Sequence, residues 1–524
     1  MRLLVLLLSL WSLPALAQTP FALLGSPGYD DIRRGVEALG TSGDPRAIPV
    51  LQALKAGQLL AGPGGALFIK AQDGSITDAE TGQAVFPTST ANGPLKPVRV
   101  NNGVRRAAEA AMGGLRLVAP EPSDRAAAAD AVFKARDAAA RPALERAIAR
   151  EPDPGVKRAM EQALAASILA SADATEADKL AAVRQIAARG DLDGRSLLAS
   201  LSGQPPAVAA AADAGVAAID RTLQFWSLLQ SAFYGLSLGS VLLLAAAGLA
   251  ITFGVMGVIN MAHGEMVMIG AYVTFMVQEA IRGHAPGLFG ASLFIAIPAA
   301  FLVCGAIGVG IERTLIRYLY GRPLETLLAT FGLSLVLQQA VRSIFGPTNR
   351  EVGTPSWMSG AGTLGQLTLT YNRVAIIVFA CLVLAALMAV LRFTPLGLRM
   401  RAVTQNRRMA AAMGINTPWV DAMTFGLGSG VAGMAGVALS QIDNVSPNLG
   451  QSYIIDSFMV VVFGGVGNLW GTVLGALTLG VVNKFLEPIA GAVLGKIVVL
   501  VLLILFIQRR PRGMFPLKGR AVET

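Results

Sequence analysis

A series of long apolar segments begins near Leu223 and continues almost to the C-terminus, and it constrains the fold more than any other feature. A helix needs about 20 apolar residues to cross a hydrocarbon core of about 30 Å. Segments of at least about this length are 228–253, 262–281, 289–311, 324–343, 373–391, 420–440, 453–486 and 490–507. Only 15% of all residues are charged, against about 25% in soluble proteins. The sequence therefore predicts an all-α bundle of membrane-crossing helices over residues 223–510.

The basic residues of this half predict its orientation. The net charge is +10. Residues 225–524 contain 19 basic residues (Lys or Arg) and 10 acidic residues (Asp or Glu), whereas residues 18–224 contain 23 basic and 23 acidic residues. Thirteen of those 19 form three clusters: Arg313, Arg317 and Arg322; Arg392, Arg399, Arg401, Arg407 and Arg408; and Arg509, Arg510, Arg512, Lys518 and Arg520. Short loops rich in Lys and Arg stay in the cytoplasm. We interpret the charge as membrane topology and not as nucleic-acid binding, and we expect residues 511–524 to form a cytoplasmic tail.

The first 17 residues have the pattern of a signal peptide. Arg2 precedes a short apolar run, and Ala15 and Ala17 form an A-x-A cleavage site. The segment is short for a membrane span, which is the alternative interpretation. We therefore expect residues 18–222 to be exported to the periplasm and the remainder to lie in a bacterial inner membrane.

The number of crossings follows from these two predictions. An exported N-terminus and a cytoplasmic C-terminus require an odd number, and eight simple segments do not satisfy this. Segment 453–486 is long and is interrupted at 464–468, so two short crossings there give nine. A similar interruption rich in Gly and Asn follows the first segment, at 254–260. Paired broken segments are typical of transport sites in folds built from repeats.

Residues 18–222 are rich in alanine and predict a mainly helical domain. Apolar residues recur at helical spacing over 44–57, 141–149, 153–169 and 175–190, and Asp-Pro, Gly or Pro breaks bound these stretches. Short helices of this kind resemble HEAT-type stacked pairs. Residues 66–70 and 83–86, with a turn at Asp73–Gly74, indicate a small hairpin insertion. Both cysteines lie in the apolar half, so we expect no disulfide in this domain and interpret it as a docking or scaffolding unit.

Three apparent motifs carry no catalytic prediction. Residues 428–433 satisfy G-x-G-x-x-G but lie inside an apolar segment, where small residues let helices approach closely. Residues 491–497 resemble a P-loop, yet one residue is missing between the glycines and Ile497 stands where Ser or Thr would bind magnesium. His263 and His284 are separated by a predicted span. We expect no cofactor, no metal and no catalytic residue.

Polar residues inside the apolar half are candidates for a substrate pathway. Ionisable groups in membrane segments are costly and commonly face a bundle interior or an aqueous cavity. Glu265 could alternatively occupy the first turn of a helix, favoured by the helix dipole, and His263 could cap neighbouring backbone; Asp456 is equally ambiguous. The candidates are Thr252, Asn260, His263, Glu265, Asn444, Asp456, Ser457 and Asn468.

Three runs of residues, taken in order, resemble a known family. Residues 234–240 (YGLSLGS), 257–265 (GVINMAHGE) and 463–472 (FGGVGNLWGT) are similar to permeases of the branched-chain amino acid type of ABC importer. Within that family, residues 249–257 and the long exported extension look most like the permease subunit of urea importers. The resemblance covers about 225–515 and implies a transport subunit that is not itself an enzyme.

The resemblance also implies partners and a coupling loop. The partners are a second homologous permease, two cytoplasmic ATP-binding subunits and a periplasmic substrate-binding protein, in addition to membrane lipid. Such permeases dock a short E-A-A-x-x-x-G helix on the ATPase. Here the Ala and Gly elements are retained without the acidic residue, and the predicted ATPase-coupling residues are Arg407, Arg408, Ala410, Ala411, Ala412, Met413, Gly414 and Ile415.

The function expected from these observations is ATP-driven uptake of a small neutral polar solute such as urea. Such a solute needs hydrogen-bond partners along its path more than fixed charges. A branched-chain amino acid permease of the same family is an alternative, as is a proton-coupled carrier or channel that uses Glu265 and Asp456. A membrane-anchored scaffold is the alternative from another class. The many predicted spans argue against it, because one span would be enough to anchor a scaffold.

Overall fold

The computed structural model describes residues 19–42, 46–62, 65–71, 75–85 and 95–515. The predicted signal peptide, the Asp73–Gly74 turn and residues 516–524 of the predicted tail lie outside these ranges. The chain divides into two compact units, of which the first ends at Gln224 and the second begins at Phe225. Each unit is described separately.

The described part of the first unit consists mainly of short helices. They are α1 (Pro20–Leu24), α2 (Tyr29–Ser42), α3 (Ala47–Lys55), α4 (Asn102–Arg116), α5 (Pro122–Ala135), α6 (Arg141–Arg150), α7 (Pro154–Ala170), α8 (Glu176–Ala187), α9 (Leu192–Ala199) and the first part of α10 (Pro206–Met256). Side-chain caps fix several N-termini: the Asp153 carboxylate accepts the Gly155 and Val156 amides at 2.7 and 3.0 Å.

Four predicted helices are confirmed as α3, α6, α7 and α8. Two clusters of buried apolar residues stabilise the unit, one around Leu51 and Val36 and the other around Met160 and Ile186. The HEAT-like arrangement stays a prediction.

A small antiparallel sheet interrupts the helices of the first unit. Its strands are β1 (Leu59–Ala61), β2 (Leu67–Lys70), β3 (Ile76–Asp78), β4 (Ala84–Val85) and β5 (Lys96–Pro97), in the order β4-β3-β2-β1-β5. The predicted hairpin between 66–70 and 83–86 is wrong in its pairing. Strand β3 lies between them, with Thr77 opposite Ile69 on one side and Ala84 on the other. Three residues are too few to show a strand periodicity, so the sequence did not reveal β3.

The second unit contains the remaining helices. They are α11 (His263–His284), α12 (Ser292–Thr314), α13 (Pro323–Phe345), α14 (Tyr371–Phe393), α15 (Pro395–Gln405), α16 (Arg407–Ala412), α17 (Thr417–Leu439), α18 (Leu449–Gly464) and α19 (Leu469–Arg509), with a hairpin of β6 (Ala361–Leu364) and β7 (Leu367–Thr370) before α14.

Within the described residues, six helices are long and apolar enough to cross a membrane. They comprise α10, α12 with its short flanking 3₁₀ turns, α13, α14, α17 and α19. Helix α11 is not among the six, and α18 has only 16 residues. The prediction of many apolar helices is confirmed, whereas nine crossings stay a prediction.

The two interruptions seen in the sequence are breaks between helices, and they lie together. Helix α10 ends at Met256 and α11 begins at His263, while α18 and α19 are separated by residues 465–468. A β-carbon added to Gly254 would lie 2.5 Å from the Cα of Gly467. The backbones of the two broken segments are therefore in direct contact, which a side chain at Gly254 would prevent.

Helix α17 lies at the centre of the unit, and its glycines contact three other helices. A β-carbon at Gly428 would lie 2.7 Å from the Thr252 methyl on α10, and one at Gly433 would lie 2.6 Å from Cys304 Sγ on α12. A β-carbon at Gly270 on α11 would overlap the Gly433 backbone. The interpretation of this glycine motif as a helix-packing surface is confirmed.

Candidate functional site

Glu265 occupies the first turn of α11, but it is buried and connects α11 to α13. Its Oε1 atom accepts hydrogen bonds from Ser334 Oγ at 2.9 Å and Gln338 Nε2 at 2.7 Å. Only 1% of the residue is exposed. Its Oε2 atom has no hydrogen-bond partner among the described residues. Glu265 thus does more than favour a helix N-terminus, because its carboxyl group is the polar contact between two helices.

The partners of Glu265 belong to a polar stripe along α13 that the sequence analysis missed. Thr326, Thr330, Ser334 and Gln338 recur at every fourth position and are all buried. Thr330 Oγ1 also accepts the backbone N–H of Met261, at 3.1 Å, from the break between α10 and α11. The spacing T-x₃-T-x₃-S-x₃-Q was visible in the sequence, and it would have identified this face.

Three further candidates lie near the break between α10 and α11. Asn260 Oδ1 accepts the Ala262 amide at 3.0 Å, and Thr252 Oγ1 donates to the Leu249 carbonyl at 3.1 Å. A His263 ring N–H, from Nε2, donates to the Ala245 carbonyl at 2.9 Å. All three side chains are buried and bound to backbone. The His263 ring thus binds a carbonyl within α10, and within the part of the chain that the structure describes no side-chain hydrogen bond caps the start of α11.

Asp456 and Ser457 on α18 have separate partners. Asp456 Oδ2 accepts a hydrogen bond from Lys496 Nζ on α19 at 3.0 Å, and Ser457 Oγ donates to the Tyr453 carbonyl at 2.8 Å. Among the described residues, no hydrogen bond joins Asp456 to Glu265. Asp456 therefore contacts α19, whereas Glu265 contacts α13.

Asn468 and Asn444 lie elsewhere in the unit. Asn468 caps α19, where its Oδ1 accepts the Trp470 amide at 3.0 Å. Asn444 follows α17 and lines a polar cavity of about 300 Å³. Other residues of this cavity are Glu351, Asn372, Arg373, Ser440, Gln441 and Asp443. The eight sequence candidates thus fall into several separate places, and the structure brings only part of them together.

The predicted coupling loop contains α16, a short helix with an exposed apolar surface. Asn406 Oδ1 caps it by accepting the Met409 amide at 2.9 Å. Met409 and Met413 are 61% and 77% exposed, whereas Ala410 is buried. Gly414 has a φ of +83° and ends the segment in a left-handed conformation that favours glycine. The loop therefore presents methionine and alanine side chains away from the unit.

Known proteins match the second unit. The profile of a family described as branched-chain amino acid transport system / permease component matches residues 231–507. The high-affinity branched-chain amino acid transport system permease protein LivH of Salmonella typhimurium is 33% identical over 300 residues, which is 56% of this chain and 96% of LivH. The corresponding BraD protein of Pseudomonas aeruginosa is 31% identical over 298 residues, with the same coverage of each chain.

A more distant similarity covers a smaller part of the chain. The ribose import permease protein RbsC of Bacillus subtilis is 32% identical over 108 residues, which is 19% of this chain and 34% of RbsC. No solved structure matches the chain significantly. The family profile covers the helices that hold the polar contacts described above. The chain is an integral membrane protein and belongs to the family of permease components of branched-chain amino acid transport systems.

Proposed function

We propose that this chain is the permease subunit of an ATP-driven ABC importer that takes up urea or a related small amide across the bacterial inner membrane. Family membership is the observation that carries the importer assignment. In this proposal, residues 18–222 are periplasmic and the C-terminus is cytoplasmic. A second homologous permease completes the pathway, two cytoplasmic subunits hydrolyse ATP, and a periplasmic protein delivers the solute.

The geometry of the coupling loop supports the ATPase partners. The exposed Met409 and Met413 side chains lie within the basic cluster that the positive-inside rule assigns to the cytoplasm. Methionine side chains adapt to apolar clefts because they are flexible and polarisable. A cytoplasmic subunit with an apolar cleft would bury the Met409 and Met413 side chains that are exposed here.

The polar stripe of α13 supports a small neutral solute. Its four side chains, with Asn260 near the break, are neutral donors and acceptors, and two of them bind the carboxyl group of Glu265. A solute such as urea requires hydrogen bonds to replace those it makes with water. The similarity of residues 249–257 to urea-importer permeases favours the same solute.

Branched-chain amino acids are the second candidate, and two observations favour them. The relatives LivH and BraD are named as branched-chain amino acid permeases. The polar cavity beside Asn444 combines the guanidinium of Arg373 with the carboxylates of Glu351 and Asp443. Groups of both signs suit a zwitterion.

Transport by the isolated assembly decides among these functions. The full chain, tagged at its C-terminus, would be purified from native membranes with the subunits that accompany it, and then reconstituted in vesicles with the binding protein. We expect urea uptake that requires ATP and the binding protein, and leucine uptake at background level. ATP-dependent leucine uptake with no urea uptake would assign the second candidate. Uptake without ATP under a proton gradient would overturn the importer.

A further inference from the structure

Arg407 joins the coupling loop to a buried carboxylate of α17. Its Nη1 atom donates to Asp421 Oδ1 at 3.2 Å, and its Nη2 atom donates to Asp421 Oδ2. The Asp421 side chain is fully buried, whereas that of Arg407 is 42% exposed. A bidentate pair of this kind fixes the orientation of both partners. Arg407 therefore holds the first residue of α16 against the second turn of α17.

The same guanidinium also contacts a residue that is bonded to α12. The Arg407 guanidinium carbon lies 4.8 Å from the centroid of the Tyr320 ring, within cation–π distance. The Tyr320 hydroxyl donates to Glu312 Oε1 on α12, at 2.9 Å, and the Glu312 side chain is 1% exposed. Arg407 is thus linked to two membrane helices, directly to α17 and through Tyr320 to α12.

The neighbouring arginine lacks such links. Arg408 is exposed and makes no ion pair with any residue that the structure describes. Both arginines belong to the same basic cluster, so topology alone accounts for either of them. Only the contacts of Arg407 require a further explanation.

Arg407 contacts α17, and a small movement of α17 would displace the helices packed against it. Helix α17 is in backbone contact with α10, α11 and α12 at its glycines, and β-carbons would overlap at several of these crossings. Interfaces packed this closely shift as units, because no gap exists to absorb a displacement. Helix α11 in turn holds Glu265 and its hydrogen bonds to α13.

We propose that Arg407, Asp421, Tyr320 and Glu312 form a positioning network, the Arg407 network, that transmits movement of α16 into α17 and α12. This inference rests on the proposed function, since it requires a partner that moves α16. The network converts a displacement at the membrane surface into a displacement of the central helix. Its loss should therefore separate ATP hydrolysis from solute movement.

The decisive variant replaces the ion pair without leaving an isolated buried charge. Removing one partner of a buried pair is strongly destabilising, whereas replacing both by apolar residues of similar volume is often neutral. We therefore choose Arg407→Met combined with Asp421→Leu, together with the milder Tyr320→Phe, which removes only the hydroxyl. The matched control is the exposed ion pair at the start of α13, replaced in the same way by Arg322→Met with Glu325→Leu.

The measurement is the amount of solute taken up per ATP hydrolysed, in vesicles that hold the full assembly. We expect this ratio to fall at least about tenfold in the double variant and severalfold in Tyr320→Phe, while the ATPase subunits remain bound. The control variant Arg322→Met with Glu325→Leu should keep the wild-type ratio. A wild-type ratio in the double variant would overturn the network, and so would failure of the double variant to insert or to retain the ATPase, because the pair would then serve assembly only.

The proposed function fails in a different way. Vesicles with the wild-type assembly would then show no ATP-dependent uptake at all. Normal wild-type uptake together with an unchanged ratio in the double variant overturns the Arg407 network alone.

Discussion

The contact between Glu265 and α13 allows a prediction whose size can be worked from the structure. Ser334 and Gln338 each donate one hydrogen bond to the same Oε1 atom. The combined change Ser334→Ala with Gln338→Leu removes both donors and leaves a buried carboxyl group without a partner. Interhelical hydrogen bonds in membrane proteins contribute about 0.6 kcal/mol each and at most about 1.7. We therefore expect the free energy of unfolding to fall by about 1–3 kcal/mol.

A third substitution tests the physical reason. Adding Glu265→Leu removes the carboxyl group that the first two changes left unpaired. An unsatisfied buried polar group costs more than the absence of both partners, so the triple variant should regain part of the lost stability. The single changes should each cost less than the double change.

Equilibrium unfolding of the full chain in mixed micelles of mild detergent and SDS measures these differences, with helix content followed by circular dichroism. Gly332→Ala is the control on α13, because a β-carbon there meets no atom within 4 Å. The expected loss corresponds to about a 5- to 150-fold change in the folding equilibrium. A double variant within about 0.3 kcal/mol of wild type, or a triple variant less stable than the double, would refute the reasoning.

Three further predictions concern other parts of the chain. Gly414→Arg should abolish binding of the ATPase subunits and uptake without preventing membrane insertion, since Gly414 adopts a φ of +83°; pull-down and uptake measure this, and normal uptake would contradict it. Gly433→Ala should destabilise the bundle by about 1–3 kcal/mol, because its β-carbon would lie 2.6 Å from Cys304 Sγ; SDS unfolding measures the change, and unaltered stability would contradict it. Arg125 donates two hydrogen bonds to Glu151, and these lower the pKa of the Glu151 carboxyl group. The pair should therefore stabilise the folded state fully above the unfolded pKa of about 4.3. This stabilisation should be lost as the pH falls through the lower folded pKa. Proteolysis of the full chain at pH 7 and at pH 3 should show this loss in wild type and a smaller one in Glu151→Gln.

The sequence predicted the membrane half well because its signals are strong. Long apolar segments must be helical in lipid, and the breaks at 254–260 and 464–468 show clearly as clusters of Gly and Asn. Their contact at Gly254 and Gly467 could not be read from the sequence, since it joins residues more than 200 positions apart. The number of crossings does not follow from apolar length alone, because α11 is not among the six long apolar helices and α18 has only 16 residues.

The candidate site was predicted only in part, for a physical reason. Glu265 could be predicted because it is an ionisable residue in an apolar segment. Its partners on α13 are neutral, and a single threonine, serine or glutamine in an apolar segment does not indicate a site. Asp421 was missed although it is a buried acid in an apolar segment, the same signal that identified Glu265 and Asp456. His263 binds a backbone carbonyl of α10 that lies 18 positions earlier in the chain, and no local sequence pattern indicates that contact.

The position of α17 connects the two ends of the unit. Near its N-terminus, Asp421 receives Arg407 from the loop that we assign to the cytoplasm, and at Gly433 it touches α11 and α12. Helix α11 begins at the break that lies against the second broken segment, and its first turn carries Glu265. A displacement of α17 would therefore change the contacts of α11 at the break and the hydrogen bonds that join α11 to α13. Because those bonds are few and directional, a small shift would break them, whereas the glycine contacts would move as a unit. The hydrogen bonds between Glu265 and the polar stripe of α13 are thus the contacts that a movement beginning at α16 would change most.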